Sequence, residues 1–250
     1  MGIYPTNDCY IMQRDRLRNK KYPIDSLIAE RNELMRGDTI IVEAHHRKAA
    51  EEIIPLILPE LEASPGKYTI TVAGESGSGK SETATAIAEA LAEHDISSVI
   101  FQQDDYFVYP PKTNDATRRK DIAWVGTQEV RLDLLDEHLQ AFRDGAESVT
   151  KPLVVYEDDA ITVENMEIGQ ARVAIAEGTY TTALNVVDTH IFIDRSYAET
   201  RAHREKRNRD ASELDSFTDG VLKIEHDIIS AQKPRAKIVI NTDYSVNVAD

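Results

Sequence analysis

The chain is expected to form an α/β fold: a parallel sheet covered by helices on both faces, with an N-terminal α/β extension. Two observations predict it. Short apolar runs of strand composition alternate with stretches of helical periodicity from Lys67 onward. These runs are continuously apolar rather than alternating, which is the signature of strands buried on both faces.

The elements follow in order. Ile24, Leu27, Ile28 and Leu34 fall at helical spacing, with Asp25 or Ser26 as cap, and Asp38–Ala44 reads as a strand. Ala50, Ile53, Ile54, Ile57, Leu58 and Leu61 share a helical face that Pro55 and Pro59 are expected to kink or split. Ser64-Pro65-Gly66 is turn chemistry, and the boundary between an extension (1–66) and the main domain (67–250) is placed there. Strands are then predicted at Tyr68–Ala73, Val99–Phe101, Arg172–Ala176, His190–Ile193 and Lys237–Ile240. Helices are predicted from Ala84, Ile87, Ala88 and Leu91, from Leu132 to Phe142 with Gly145 closing, around Tyr197–Asp210, and at Val221–Ser230.

Composition narrows the function. With 250 residues, 44 acidic and 29 basic, the net charge is −15, and such a field repels nucleic-acid backbones and anionic lipid. Neither nucleic acid nor membrane is an expected partner. Cys9 is the single cysteine, so an intrachain disulfide is excluded. The start carries no secretory signal and no run is long enough to span a bilayer, so a cytoplasmic location is expected. Homo-oligomerisation is an expectation for the extension.

Gly74-Glu75-Ser76-Gly77-Ser78-Gly79-Lys80-Ser81 fits G-x-x-x-x-G-K-S between a strand and an amphipathic helix, the context of a P-loop. Its glycines let backbone amides turn inward at phosphate oxygens, and the helix adds the positive end of its dipole. Lys80 is expected to reach the β- and γ-phosphates of ATP, Ser81 to sit on Mg²⁺, and Glu82 to belong to the same site. The fold is thus of P-loop NTPase type.

A P-loop alone does not separate kinases, GTPases and switches. Asn241-Thr242-Asp243-Tyr244 does not match the guanine-selecting Asn-Lys-x-Asp. A kinase needs a base, a second carboxylate at the metal and cations for the moving phosphoryl. Asp104 and Asp105 close a strand expected to neighbour the P-loop strand, and Glu177 closes another. Arg201, Arg204 and Arg207 recur at every third position, between Arg195 and Arg209, like a flap over phosphates (about 195–216).

GESGSGKSE, QQDDYF, LDLLDEHL, the Glu-Gly-Thr after a strand and IFIDRSYAETRAHREKRNRD together resemble the uridine kinase and phosphoribulokinase family of P-loop kinases. The resemblance implies ATP and Mg²⁺ as cofactors, with Asp104 as general base and metal neighbour (Asp105 the alternative). It places Glu177 at the metal and Arg201, Arg204 and Arg207 in the lid. Residues 106–165 occupy the place of the acceptor region; Asp105, Tyr106, Arg118, Arg119, Tyr156, Asp158 and Arg201 are candidates for acceptor contact, and Arg118, Arg119 and Lys120 could meet an anionic acceptor. Where uridine kinases carry Asp-His-Pro, this chain has Trp124-Val125-Gly126-Thr127, which puts uridine in doubt. The expected activity is ATP-dependent phosphorylation of a hydroxyl on a nucleoside, sugar, polyol or related metabolite. The alternatives are a kinase of a nucleotide-sugar or other activated metabolite and a nucleotide-switched ATPase or interaction protein. His45-His46 is not expected to be a metal pair, since adjacent helical residues diverge.

Overall fold

A computed structural model describes residues 33–34, 38–200 and 216–249. A two-residue antiparallel pair, β1 (Glu33–Leu34) and β2 (Asp38–Thr39), precedes α1 (Ala44–Ala63). There follow β3 (Tyr68–Gly74), α2 (Lys80–Glu93), β4 (Ser98–Gln102), α3 (Pro111–Lys120) and α4 (Leu132–Arg143). The rest is β5 (Ser148–Val155), β6 (Ala160–Glu167), β7 (Val173–Gly178), β8 (Thr189–Ile193), α5 (Ser216–Gln232), β9 (Ile238–Ile240) and β10 (Val246–Val248).

The central sheet runs in the order β10-β9-β8-β3-β7-β4, parallel throughout except for β10. Every residue of β3 is buried, as its continuous apolar composition requires. One face carries α1 and α2: Ile53, Ile57, Ala84, Ile87 and Leu91 pack with Ile70, Val72, Ile175 and Ile191. The other carries α4, whose Leu135, Leu139 and Phe142 meet Phe101, Phe192 and Tyr180.

Four expectations change. β4 does not neighbour β3, because β7 lies between them, with Glu177 in register with Val72 on one side and Gln102 on the other. The β3–α2–β4 crossover skips a sheet position that β7, starting about seventy residues after β4, fills, and nothing in the local pattern of β4 records the gap. The strand expected at Asp38–Ala44 shortens to Asp38–Thr39, as α1 starts at Ala44 behind a capping box between Glu43 and His46. The helix expected over Ile24–Leu34 lies mostly outside the described residues, and its end, Glu33–Leu34, is strand. Finally, α1 runs unbroken through Pro55 and Pro59. Both prolines lie on the exposed side, one helical turn apart, so the carbonyls they leave unpaired face water.

Sequence reading missed the β5–β6 hairpin altogether. It is a separate antiparallel sheet in which Lys151 faces Glu164 and Pro152 faces Val163 across the register.

Candidate active site

The glycine-rich turn leaves β3 and enters α2 at Lys80. Gly77 and Gly79 hold φ of +74° and +93°, a left-handed backbone that side chains rarely tolerate. A Cβ at Gly79 would sit 3.0 Å from His46 Nε2 and 3.1 Å from Tyr244 Oη, so α1 and the β9–β10 turn close the back of the loop. Lys80 Nζ donates to the Glu75 carbonyl at 3.0 Å, holding the ammonium over the turn. Glu75 itself is buried, its carboxylate accepting from the Tyr197 amide at 2.6 Å and meeting His226 Nδ1 at 2.6 Å. Its side chain therefore joins the loop to the segment after β8 and to α5, while its backbone remains part of the cradle. Thr200 Oγ1 donates to the Ser76 carbonyl at 2.8 Å and strengthens the same junction.

Beside the loop stand the acids. Ser81 Oγ donates to Glu177 Oε1 at 3.0 Å. Glu177 is buried, and burial first, then the Asp104 charge, push its carboxyl up to about 7, opposed by Lys80. Glu82 adds to the upward push. Lys80, Ser81, Glu82, Asp104 and Glu177 thus share one electrostatic environment at the carboxyl ends of β4 and β7, the location of ligands in open α/β sheets. Two carboxylates and a hydroxyl form a hard oxygen set that suits Mg²⁺, which binds through one or two carboxylates plus substrate phosphates and keeps some water. The Ser78 hydroxyl, buried within the loop and without a hydrogen-bond partner, fits a cradle for phosphate oxygens.

Asp105 goes elsewhere. Its carboxylate takes Lys151 Nζ at 2.5 Å and the Val154 amide at 3.0 Å, anchoring β5 to the turn after β4. Burial raises its pKa and Lys151 opposes the rise. Tyr106, expected at the acceptor, is fully buried with its hydroxyl on His138 Nδ1 at 2.8 Å. The arginines expected to meet an anionic acceptor are also committed. Arg118 pairs with Glu129 and, at 2.9 Å, with Glu225, while Arg119 pairs with Asp115 at 2.8 Å and lies 4.6 Å over the Phe217 ring. Tyr156 lies at the hairpin turn with Lys112 Nζ 5.9 Å from its ring. Asp158 is exposed there, and it is the next residue, Asp159, that accepts from the Lys112 amide and Thr113 Oγ1, both at 2.7 Å. Arg201, Arg204 and Arg207, and most of the helix expected over Tyr197–Asp210, lie outside the described residues. His45 and His46 do not diverge: their Nε2 atoms are 3.2 Å apart and both rings pack on Tyr244. No group of three metal-capable side chains is found among the described residues.

Lys151, Asn114, Glu129, Glu225 and His226 were not singled out by sequence reasoning. Each is an ordinary polar residue whose role appears only through a partner distant in the chain.

Fold and crevice together define a protein of P-loop type with carboxylates at the strand edge beside the loop. Residues 69–248 match the model of the phosphoribulokinase / uridine kinase family, and the chain belongs to that family of kinases. Over 192 residues it is 30% identical to the bifunctional alpha-galactosidase/sucrose kinase AgaSK of Mediterraneibacter gnavus. That match takes in 72% of this chain but only 20% of the relative, so the chain spans about a fifth of the relative's length. Among solved structures, a possible uridine kinase from Bacillus stearothermophilus superposes with a TM-score of 0.57 at 16% identity, over 77% of this chain and 97% of that one. D-glycerate 3-kinase from Cryptococcus neoformans gives 0.55 at 10% identity, over 80% and 99%. At such identities these two speak for the fold. Among the described residues no helix is long and apolar enough to cross a membrane.

Proposed function

We propose that the chain transfers the γ-phosphoryl group of ATP to a hydroxyl of a small neutral polyhydroxyl acceptor, a sugar being favoured over a nucleoside. The observation that carries this reading is the convergence on Glu177: the Ser81 hydroxyl bonds to it, and the Asp104 and Lys80 charges both act on it. Phosphoryl transfer needs little covalent chemistry from the protein beyond positioning, charge stabilisation and a proton acceptor. Asp104, half-buried at the turn, takes the proton of the acceptor hydroxyl as its oxygen attacks the γ-phosphorus. The loop amides and Lys80 hold the phosphates in line. Ser81 and Glu177, with Asp104 beside them, would hold Mg²⁺, which supplies neutralisation of the phosphate charge when bound. Arg201, Arg204 and Arg207, outside the described residues, are assigned to the equatorial oxygens.

Two features support a neutral sugar. Arg118 and Arg119 are occupied by carboxylates, which disfavours nucleotide-sugars and other anionic acceptors. Of the two activities in the name of the curated relative, alpha-galactosidase and sucrose kinase, the kinase is the one that calls for a P-loop. The test is ADP formation across a panel of sugars, polyols and nucleosides, with Lys80→Ala as blank. Turnover confined to a neutral sugar or polyol is expected, whereas turnover confined to nucleosides or phosphorylated metabolites contradicts the acceptor assignment.

A further inference from the structure

We infer that Trp124 and Tyr109 form the stacking platform for the sugar acceptor, held rigid by a buried polar chain that reaches back to the phosphate loop. The inference rests on the kinase reading above and names the surface that recognises the acceptor.

Trp124 is the sole tryptophan of the chain. Its ring centroid lies 5.4 Å from that of Tyr109 at an interplanar angle of 40°. Tyr109 is 39% exposed, and Val108 and Ile122 beside the pair are 38% and 43% exposed. These three are half of the exposed large apolar side chains among the described residues, and they fall on the two segments that meet here. Those segments are stitched together immediately after Asp104: the Val108 amide donates to the Glu129 carbonyl at 2.7 Å, and the Arg131 amide to the Tyr106 carbonyl at 2.8 Å. The aromatic pair is thereby fixed to the turn that carries the base.

The indole is also fixed from below. Trp124 Nε1 donates to Asn114 Oδ1 at 2.9 Å, and Asn114 Nδ2 donates to Glu129 Oε2 at 2.6 Å. Glu129, wholly buried, takes the Gly126 amide at 2.6 Å and the Arg118 guanidinium, which bonds in turn to Glu225 of α5. The next residue, His226, meets Glu75 of the phosphate loop. Gln128 Nε2 donates to the carbonyls of Ala123, Trp124 and Val125 at 2.9, 2.7 and 3.0 Å. Burying so many polar groups is costly unless all are paired, and here they are paired around one aromatic edge. An indole with its nitrogen satisfied and its orientation set offers a pre-organised face at low entropic cost. The C–H face of a pyranose or furanose ring suits such a surface, and the pair is tied to the turn that carries Asp104. Arg118 and Arg119 are paired with carboxylates, which favours a neutral sugar over its phosphate as the ligand class.

The experiment uses the full chain and sucrose and D-glucose as probes, with D-glucose 6-phosphate as the anionic control. Because one indole emits, tryptophan fluorescence reports on the platform directly. A saturable emission change is expected with a neutral sugar and not with the phosphate. Trp124→Ala is expected to raise the sugar KM roughly tenfold to a hundredfold, the loss of most of one aromatic contact, with a far smaller effect on the ATP KM. Trp124→Phe should restore most of the affinity, and Tyr109→Ala, on an exposed residue, gives a second reading should Trp124→Ala not fold. If both alanine variants phosphorylate a sugar with unaltered KM, the platform is overturned and the kinase reading stands. If the wild-type chain phosphorylates no neutral sugar, the acceptor assignment fails and the platform with it.

Discussion

The short 3-10 turn after β4 (Gln103–Tyr106) carries two adjacent carboxylates with different surroundings. Asp104 acts on Glu177 through its charge, while Asp105 is locked by Lys151 and the Val154 amide. Their substitutions should therefore separate. Asp104→Asn is expected to lower kcat about 10²- to 10⁴-fold with ATP binding retained, as removal of a general base does. Asp105→Asn removes one of the two carboxylates on buried Lys151, with Glu164 remaining at 2.7 Å, and should cost about 1–3 kcal/mol in urea unfolding. Equal loss of kcat without loss of stability in Asp105→Asn would reverse the two roles. The P-loop and the place of Glu177 beside it could be read from the chain because both sit in contiguous residues at strand ends. The choice between Asp104 and Asp105 could not, since it depends on Lys151, 46 positions away. Arg118 misled for the same reason: a charge in a basic triplet resembles a ligand contact until Glu129 and Glu225 are brought to it.

At the level of elements, α1 is part of the main core rather than an ornament upon it. Ile57, 1% exposed, lies in the same cluster as Ile70 and Ile175, and Ile57→Ala should cost about 2–5 kcal/mol. Two histidines, buried His46 and half-buried His190, add a pH dependence. His46 on α1 is lowered to about 4 by burial and by His45, and His190 on β8 to about 4 by burial and by Arg235. Each stays neutral in the folded chain at pH values where the unfolded chain, at the ordinary 6.5, has already bound a proton. Stability should thus be lost as pH falls from about 6.5 toward about 4. Melting temperatures measured across that window should fall in the wild type, and less steeply in His190→Gln. A parallel decline in both would exclude His190 as a cause. The helical face of α1 could be read from its periodicity, but its continuity could not, because the cost of Pro55 and Pro59 depends on which side faces water. The β5–β6 hairpin escaped because Pro152 and a tight acidic turn masked strands that pair only with each other.

Across the whole molecule, the parallel order of strands converts separated motifs into one crevice. Placing β7 between β3 and β4 sets Glu177 between the strand that feeds the phosphate loop and the strand that feeds Asp104. The number and type of strands followed from their apolar runs, whereas their lateral order is a property of crossovers that no local pattern encodes. The net charge of −15 makes capture of a nucleoside triphosphate depend on local donors, namely the loop amides and Lys80, rather than on long-range attraction. The central claim is that this crevice moves a phosphoryl group onto a hydroxyl. It is tested most directly by following labelled γ-phosphate from ATP into a neutral sugar, wild type beside Asp104→Asn. Label should appear on the sugar with the wild-type chain and fall by at least about a hundredfold in the variant while ATP binding persists. Label released only as inorganic phosphate, at equal rates in both proteins and indifferent to sugar, would contradict the account.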